Sequence, residues 1–161
     1  MKPKKIAVMM LFLAALLGCV SPPPQAGELP EDFRLEYGSG AMHLEWGAYY
    51  LTVENGGESL FTKTSGFDER KEIPFKASEG ELLEIYNAAL ANNFFALNSS
   101  YTDPSIMDGG WSEISITANG STHSVSMNNY SMQQFDAVEE KIVAMIKANL
   151  GQDAFSLEEL E

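Results

Sequence analysis

WSEISITANGSTHSVSM, residues 111–127, reads as two strands folded back on Asn119-Gly120. Asn-Gly supplies two adjacent residues that tolerate positive φ, which a two-residue hairpin turn requires. Ile114 and Ile116 alternate with polar residues and mark one face of the first strand, with Val125 and Met127 as candidates to meet them from the second. A hairpin with one apolar face needs a covering layer. The flanking sequence is therefore read for further strands and for that cover.

Upstream, FRLEY (33–37) alternates as a half-buried strand, and Gly38-Ser39-Gly40 is expected to end it. YYLTV (49–53) and SLFTKT (59–64) are predicted to pair about Asn55-Gly56. EIPFK (72–76) suits a short edge strand, because Pro74 has no amide to give a ladder. Ser78 and Glu81 have capping-box spacing, and Leu82, Ile85, Tyr86 and Ala89 behind them fall on one helical face. That helix is expected to end near Asn92-Asn93, with residues 94–97 (FFAL) returning to the core and 98–110 forming a polar loop.

Ser131 and Gln134 read as a second capping box, before a helix that buries Phe135, Val138, Ile142, Met145 and Ile146 and stops at Gly151. The expected fold is α+β: an antiparallel sheet of hairpins with two helices packed on one face, in two layers. A single domain covers 32–150, and 151–161 is expected to be a loosely held acidic tail.

The N-terminus carries a separate message. Lys2, Lys4 and Lys5 precede twelve apolar residues, Ile6 to Leu17. As a helix these would span about 18 Å, against a hydrocarbon core of about 30 Å, so an export signal is expected rather than a membrane span. Leu16-Leu17-Gly18-Cys19 resembles the lipobox of bacterial lipoproteins. That resemblance implies cleavage between Gly18 and Cys19 and a lipid on the Cys19 sulfur, so the membrane is the implied partner and the cell envelope the implied location. Val20, rather than an aspartate, follows the cysteine and implies the outer membrane where the organism has one. Residues 1–18 are then a signal peptide, and 19–31, with Pro22-Pro23-Pro24, a lipidated tether of extended polyproline character.

The full chain has 10 basic and 23 acidic residues, a formal charge of −13. Removal of three signal lysines leaves −16 for the remainder. Nucleic acid is excluded as a partner, because phosphate binding needs clustered Lys and Arg. Cys19 is the sole cysteine, so no intrachain disulfide is expected.

Taken together, WGAYYLTV (46–53), NNFFALNSSYTD (92–103) and ISITANGSTHSV (114–125) resemble an uncharacterised family of small bacterial exported and lipoprotein domains. Members typically carry Cys-Pro where Glu45-Trp46-Gly47-Ala48 stands here. The resemblance implies the same fold plan and an envelope location, and no activity.

Catalytic patterns are sparse. A nucleophile needs an adjacent base and a group to orient it. The histidines are His43 and His123, and His123 is expected on a strand surface. Asp103 and Asp108 share a turn-rich loop with Pro104 and two glycines, short of the oxygens a hard cation requires. Met42, His43, His123, Met127 and Met132 have copper-binding atoms, but their spread suits gap filling. No catalytic residue, metal or cofactor is expected. Trp46, Tyr49, Trp111 and Tyr130 lie in or beside turns and are the candidate binding residues. The leading expectation is a non-enzymatic envelope module that binds a protein or small ligand. The alternatives are a hydrolase or metal-dependent enzyme built on His123 or the Asp103/Asp108 loop, and a structural spacer.

Overall fold

The computed structural model describes residues 27–42, 47–65 and 69–156. Gly18, Cys19, the tether before Gly27, His43 and Trp46 lie outside the described residues. The strands are β1 (Arg34–Ala41), β2 (Ala48–Val53), β3 (Glu58–Ser65), β4 (Glu69–Lys76), β5 (Ser100–Thr102), β6 (Gly110–Ala118) and β7 (Ser121–Asn128). Two α-helices follow β4 and β7 respectively, α1 (Glu79–Ala91) and α2 (Gln133–Leu150). The strands form one sheet in the order β4-β3-β2-β1-β6-β7-β5, with both helices on one face. This is the expected α+β, two-layer architecture.

The 111–127 hairpin closes as its sequence requires. Ala118 pairs with Ser121, and Asn119 and Gly120 both take positive φ, 54° and 76°. The Asp32 carboxylate accepts both turn amides and so clamps the turn to the start of β1. Ile114 faces Val125 as expected, but Ile116 faces His123, while Met127 lies opposite Ser112.

Four expectations are corrected. First, Gly38-Ser39-Gly40 does not end β1, which continues to Ala41 and pairs with β2 and β6 throughout. A Cβ on Gly38 would lie 2.8 Å from Cζ3 of Trp111, so the missing side chain leaves room for an indole over the strand. Second, the polar loop contains β5, which pairs parallel to β7 and makes the sheet mixed at that edge.

Third, Met132 rather than Ser131 is the N-cap of α2, with no side-chain cap bond. Asp136 turns back instead, accepting from the Ser131 hydroxyl at 2.7 Å and the Met132 amide at 3.4 Å. A carboxylate is the better acceptor at the positive end of a helix. Fourth, the chain after Gly151 is not loose up to Ser156. A 3-10 turn, Gln152–Phe155, buries Ala154 and packs Phe155 on the sheet.

Alternation along the strands sets the core. Leu35, Tyr37, Leu51, Val53, Phe61, Ile114, Ile116, Val125 and Met127 face the helices and are buried. Against them lie the predicted stripes of α1 and α2, Leu82, Ile85, Tyr86 and Ala89, then Phe135, Val138, Ile142, Met145 and Ile146. Burying each large side chain contributes about 1.5–3 kcal/mol. The Ser78–Glu81 capping box is complete, with bonds in both directions.

The β2–β3 turn carries a tight backbone junction. Gly57 has φ +85° and accepts the Ala77 amide at 2.9 Å, and an added Cβ would meet the Ala77 oxygen at 2.2 Å. Its neighbour Gly56, at φ +89°, faces open space. Gly56→Ala should lose about 1 kcal/mol from backbone strain alone, and Gly57→Ala about 3 kcal/mol or more from strain plus collision. Urea denaturation of the two variants measures the difference. Equal losses would show that the Ala77 carbonyl moves aside freely.

Candidate functional site

The two helices do not cover the whole inner face. α2 buries one stripe, and the adjacent stripe of Asp136, Glu139, Glu140, Val143 and Lys147 looks across a gap toward β1 and β2. These residues recur at three- and four-residue spacing, so they stand in line along the helix. Tyr37, Ser39 and Tyr49 form the floor, because odd-numbered residues of β1 and β2 point to the helical side. Phe155 closes the far end. The groove holds about 700 Å³, within the size range of small-ligand sites.

The C-terminal segment builds that far wall. Phe155 meets Tyr49 edge-on at 5.1 Å between ring centroids and Phe61 at 5.5 Å, and Tyr49 and Phe61 stack at 6.1 Å. The Tyr49 hydroxyl donates to the Phe155 carbonyl. Lys63, 2% exposed on β3, donates to the Ser156 carbonyl at 2.9 Å. Lys147 places its ammonium 5.9 Å over the Phe155 ring. A buried lysine needs such an oxygen, so Lys63 both holds the segment and is satisfied by it.

Glu139 is the polar centre. It receives the Tyr37 hydroxyl at 3.1 Å. Burial raises its carboxyl above the ordinary glutamate range, with hydrogen bonds from Tyr37 and Ser112 pulling back and the Asp136 charge adding to the rise. Burial also lifts the Tyr37 phenol well above its usual range, so it remains a donor. Tyr49 is raised for the same reason. Glu139 also borders a second recess of about 480 Å³ at the end of the sheet, shared with Ser39, Ser112, Trp111 and Tyr130. The arrangement offers an aromatic wall, a protonatable carboxyl and a fixed phenolic donor.

The expected binding residues are thus divided. Tyr49 lines the groove, Trp111 and Tyr130 border the neighbouring recess, and Trp46 is outside the described residues. Tyr130 is 46% exposed and stacks on Tyr101 at 5.7 Å. Trp111 is half-buried rather than enclosed.

His123 is not on the strand surface as expected. It lies on the helical side under Phe94 and Phe95, at 5.6 and 6.1 Å, with Nε2 buried and without a hydrogen-bond partner. Odd residues of β7 point inward, so the register that buries Val125 and Met127 also turns His123 in. In the Asp103 loop, Ser105 donates its amide and hydroxyl to the Asp103 carboxylate, at 2.9 and 2.6 Å, which holds that carboxyl below its usual range. Among the described residues no group of three or more His, Cys, Asp or Glu side chains is placed to hold a metal ion.

Glu139, Tyr37 and Phe155 were not singled out by sequence reasoning. Glu139 sits one residue beyond the buried stripe with nothing local to mark it, and Tyr37 reads as an ordinary core strand residue. Phe155 carried a signal: Ala154-Phe155 is an adjacent apolar pair, with the one aromatic residue, in the acidic tail 151–161. The chain matches no protein-family model and no curated protein.

The raised Glu139 carboxyl has a consequence for stability. Between the unfolded and folded pKa values the native state binds more protons than the unfolded chain, so this group's contribution falls as pH rises through that window. Glu139→Gln removes the effect. Its melting temperature relative to the parent should therefore rise on going from about pH 4 to about pH 7. A pH-independent difference between the two proteins would show that Glu139 is not perturbed.

Proposed function

We propose that this chain is a cell-envelope lipoprotein, anchored by a lipid on Cys19, whose α+β domain is a non-enzymatic binding module. The anchor reading rests on the charged start, the short apolar run and Leu16-Leu17-Gly18-Cys19. The proline tether supports it by separating domain from lipid. One observation carries the binding reading: the groove of about 700 Å³ between α2, β1, β2 and the C-terminal turn, walled by Tyr49 and Phe155 around the Glu139–Tyr37 pair. A ligand with an apolar body and a hydrogen-bonding head suits it, whether a small molecule or the end of a partner protein. The binding reading is favoured over the enzyme alternative because His123 packs under Phe94 and the Asp103 carboxylate accepts the Ser105 hydroxyl within its own turn.

Two measurements test the two halves. On detergent phase separation of cell extracts, the full chain should enter the detergent phase, and Cys19→Ala should stay unprocessed with no lipid-modified N-terminus by mass. A lipidated Cys19→Ala chain would overturn the anchor site. For the groove, a photo-crosslinking residue placed at Val143 in the full chain in intact cells should give an adduct of defined mass. The same residue at the exposed strand position Thr122 should not. Equal labelling at both positions, or none at Val143, would overturn the groove as the binding site.

A further inference from the structure

The sheet face turned away from the helices carries a third hollow, distinct from the groove and from the recess at Tyr130. On that face β1 presents Glu36, Gly38 and Gly40, β2 presents Ala48, Tyr50 and Thr52, and β6 presents Trp111, Glu113 and Ser115. The register sets Gly38 between Tyr50 and Glu113, and Glu36 between Thr52 and Ser115. With no side chain at Gly38, the Trp111 ring folds down onto the strand and its centroid comes 5.9 Å from that of Tyr50, tilted by 45°. The two rings and the two carboxylates border one hollow of about 240 Å³. Glu36 and Glu113 occupy diagonal positions on neighbouring strands, about 7–8 Å apart by the usual spacing.

The rings beside them, rather than the lack of a cation alone, set these two carboxylates apart from the other exposed acids of the chain. Elsewhere on the described surface the cations are engaged: Arg34 with Glu54, Arg70 with Glu72 at 2.7 Å, Lys76 with Glu58 at 2.8 Å and Lys141 with Glu84 at 3.2 Å. Lys63 is in the core and Lys147 lies over Phe155. Arg34 shares the strand face of Glu36 yet turns to Glu54. Among the described residues no cation pairs with Glu36 or Glu113. Two unpaired carboxylates beside two converging aromatic rings form a partial cage whose missing element is a positive charge. Ring faces attract cations through their quadrupole, most strongly in tryptophan. The hollow is smaller than drug-sized sites, which begin near about 300 Å³. It has room for one cationic head group.

We propose that this open-face recess binds an organic ammonium group, held by Trp111 and Tyr50 through their ring faces and by Glu36 and Glu113 through charge. The group is supplied either by a small amine or by a lysine side chain of a peptide crossing the sheet.

The test uses the full chain labelled with 5-fluorotryptophan, whose two tryptophan signals are assigned with Trp111→Phe. It is titrated with choline, with N-acetyl-lysine methylamide and with 3,3-dimethylbutanol, the neutral isostere of choline. An ammonium probe should shift the Trp111 signal saturably, with Kd on the order of 1 mM, and added salt should weaken it. The neutral isostere should bind at least about tenfold more weakly, and the Glu36→Gln/Glu113→Gln double variant should lose about tenfold for the ammonium. These are exposed surface substitutions, and an unchanged melting temperature separates lost binding from lost fold. Binding of both ammonium probes supports any small amine, and binding of the lysine derivative alone supports a peptide side chain. Equal binding of the neutral isostere, or no saturable shift with either ammonium probe, would overturn the proposal.

Discussion

The seam between β1 and β6 is the constraint on which the rest of the molecule depends. β1 joins a meander on one side, β2, β3 and β4, to the β6–β7 hairpin and β5 on the other. Its pairing with β2 is local, whereas its pairing with β6 closes a loop of some seventy residues that contains α1. Such a loop costs chain entropy before its contacts form. The return is a continuous apolar face, with Leu35 against Ile116 and Tyr37 against Ile114. The same seam requires glycine on the outer face, where Trp111 lies over Gly38. One pairing thus sets both the helical core and the aromatic hollow on the opposite side.

Covering the inner face is a matter of supply. Two helices with narrow apolar stripes are set over a seven-stranded sheet, and they leave part of its inner face to be closed from elsewhere. The C-terminal turn does this, held by Lys63, Tyr49 and Phe61. Where α2 and that turn fail to meet, the groove remains, and the charged stripe of α2 becomes its wall. Glu139 is perturbed because it stands at this boundary, neither in water nor in the core. The groove and the buried lysine are two results of the same shortage of cover.

Much of the fold was legible residue by residue. Asn119-Gly120, the Ser78–Glu81 box and the stripes of both helices are local patterns with local causes, and each is found where its spacing put it. The misreadings share one character. Gly38-Ser39-Gly40 looked like a strand end because intrinsic propensity sees only entropy loss at glycine. The Trp111 ring that fills the space comes from β6. Ser131 looked like a cap, yet its hydroxyl donates to Asp136, which also accepts the Met132 amide. His123 looked exposed because its neighbours are polar, yet the register turned it inward. The candidate site was less legible. Tyr49 was named from its place near a turn, while Glu139 and Phe155 acquire their setting from partners far away along the chain.

By itself the sequence determined the α+β class, the hairpin turns, the helix faces and the acidic balance of the chain. These follow from period, turn chemistry and charge, which act over a few residues or over the whole composition. Tertiary structure alone decided the strand order, the docking of the C-terminal turn and the division of the aromatic residues between two faces. Their energies come from contacts between segments tens of residues apart. No local pattern encodes whether Glu139 meets Tyr37, or whether Trp111 finds a glycine beneath it, until the sheet has closed.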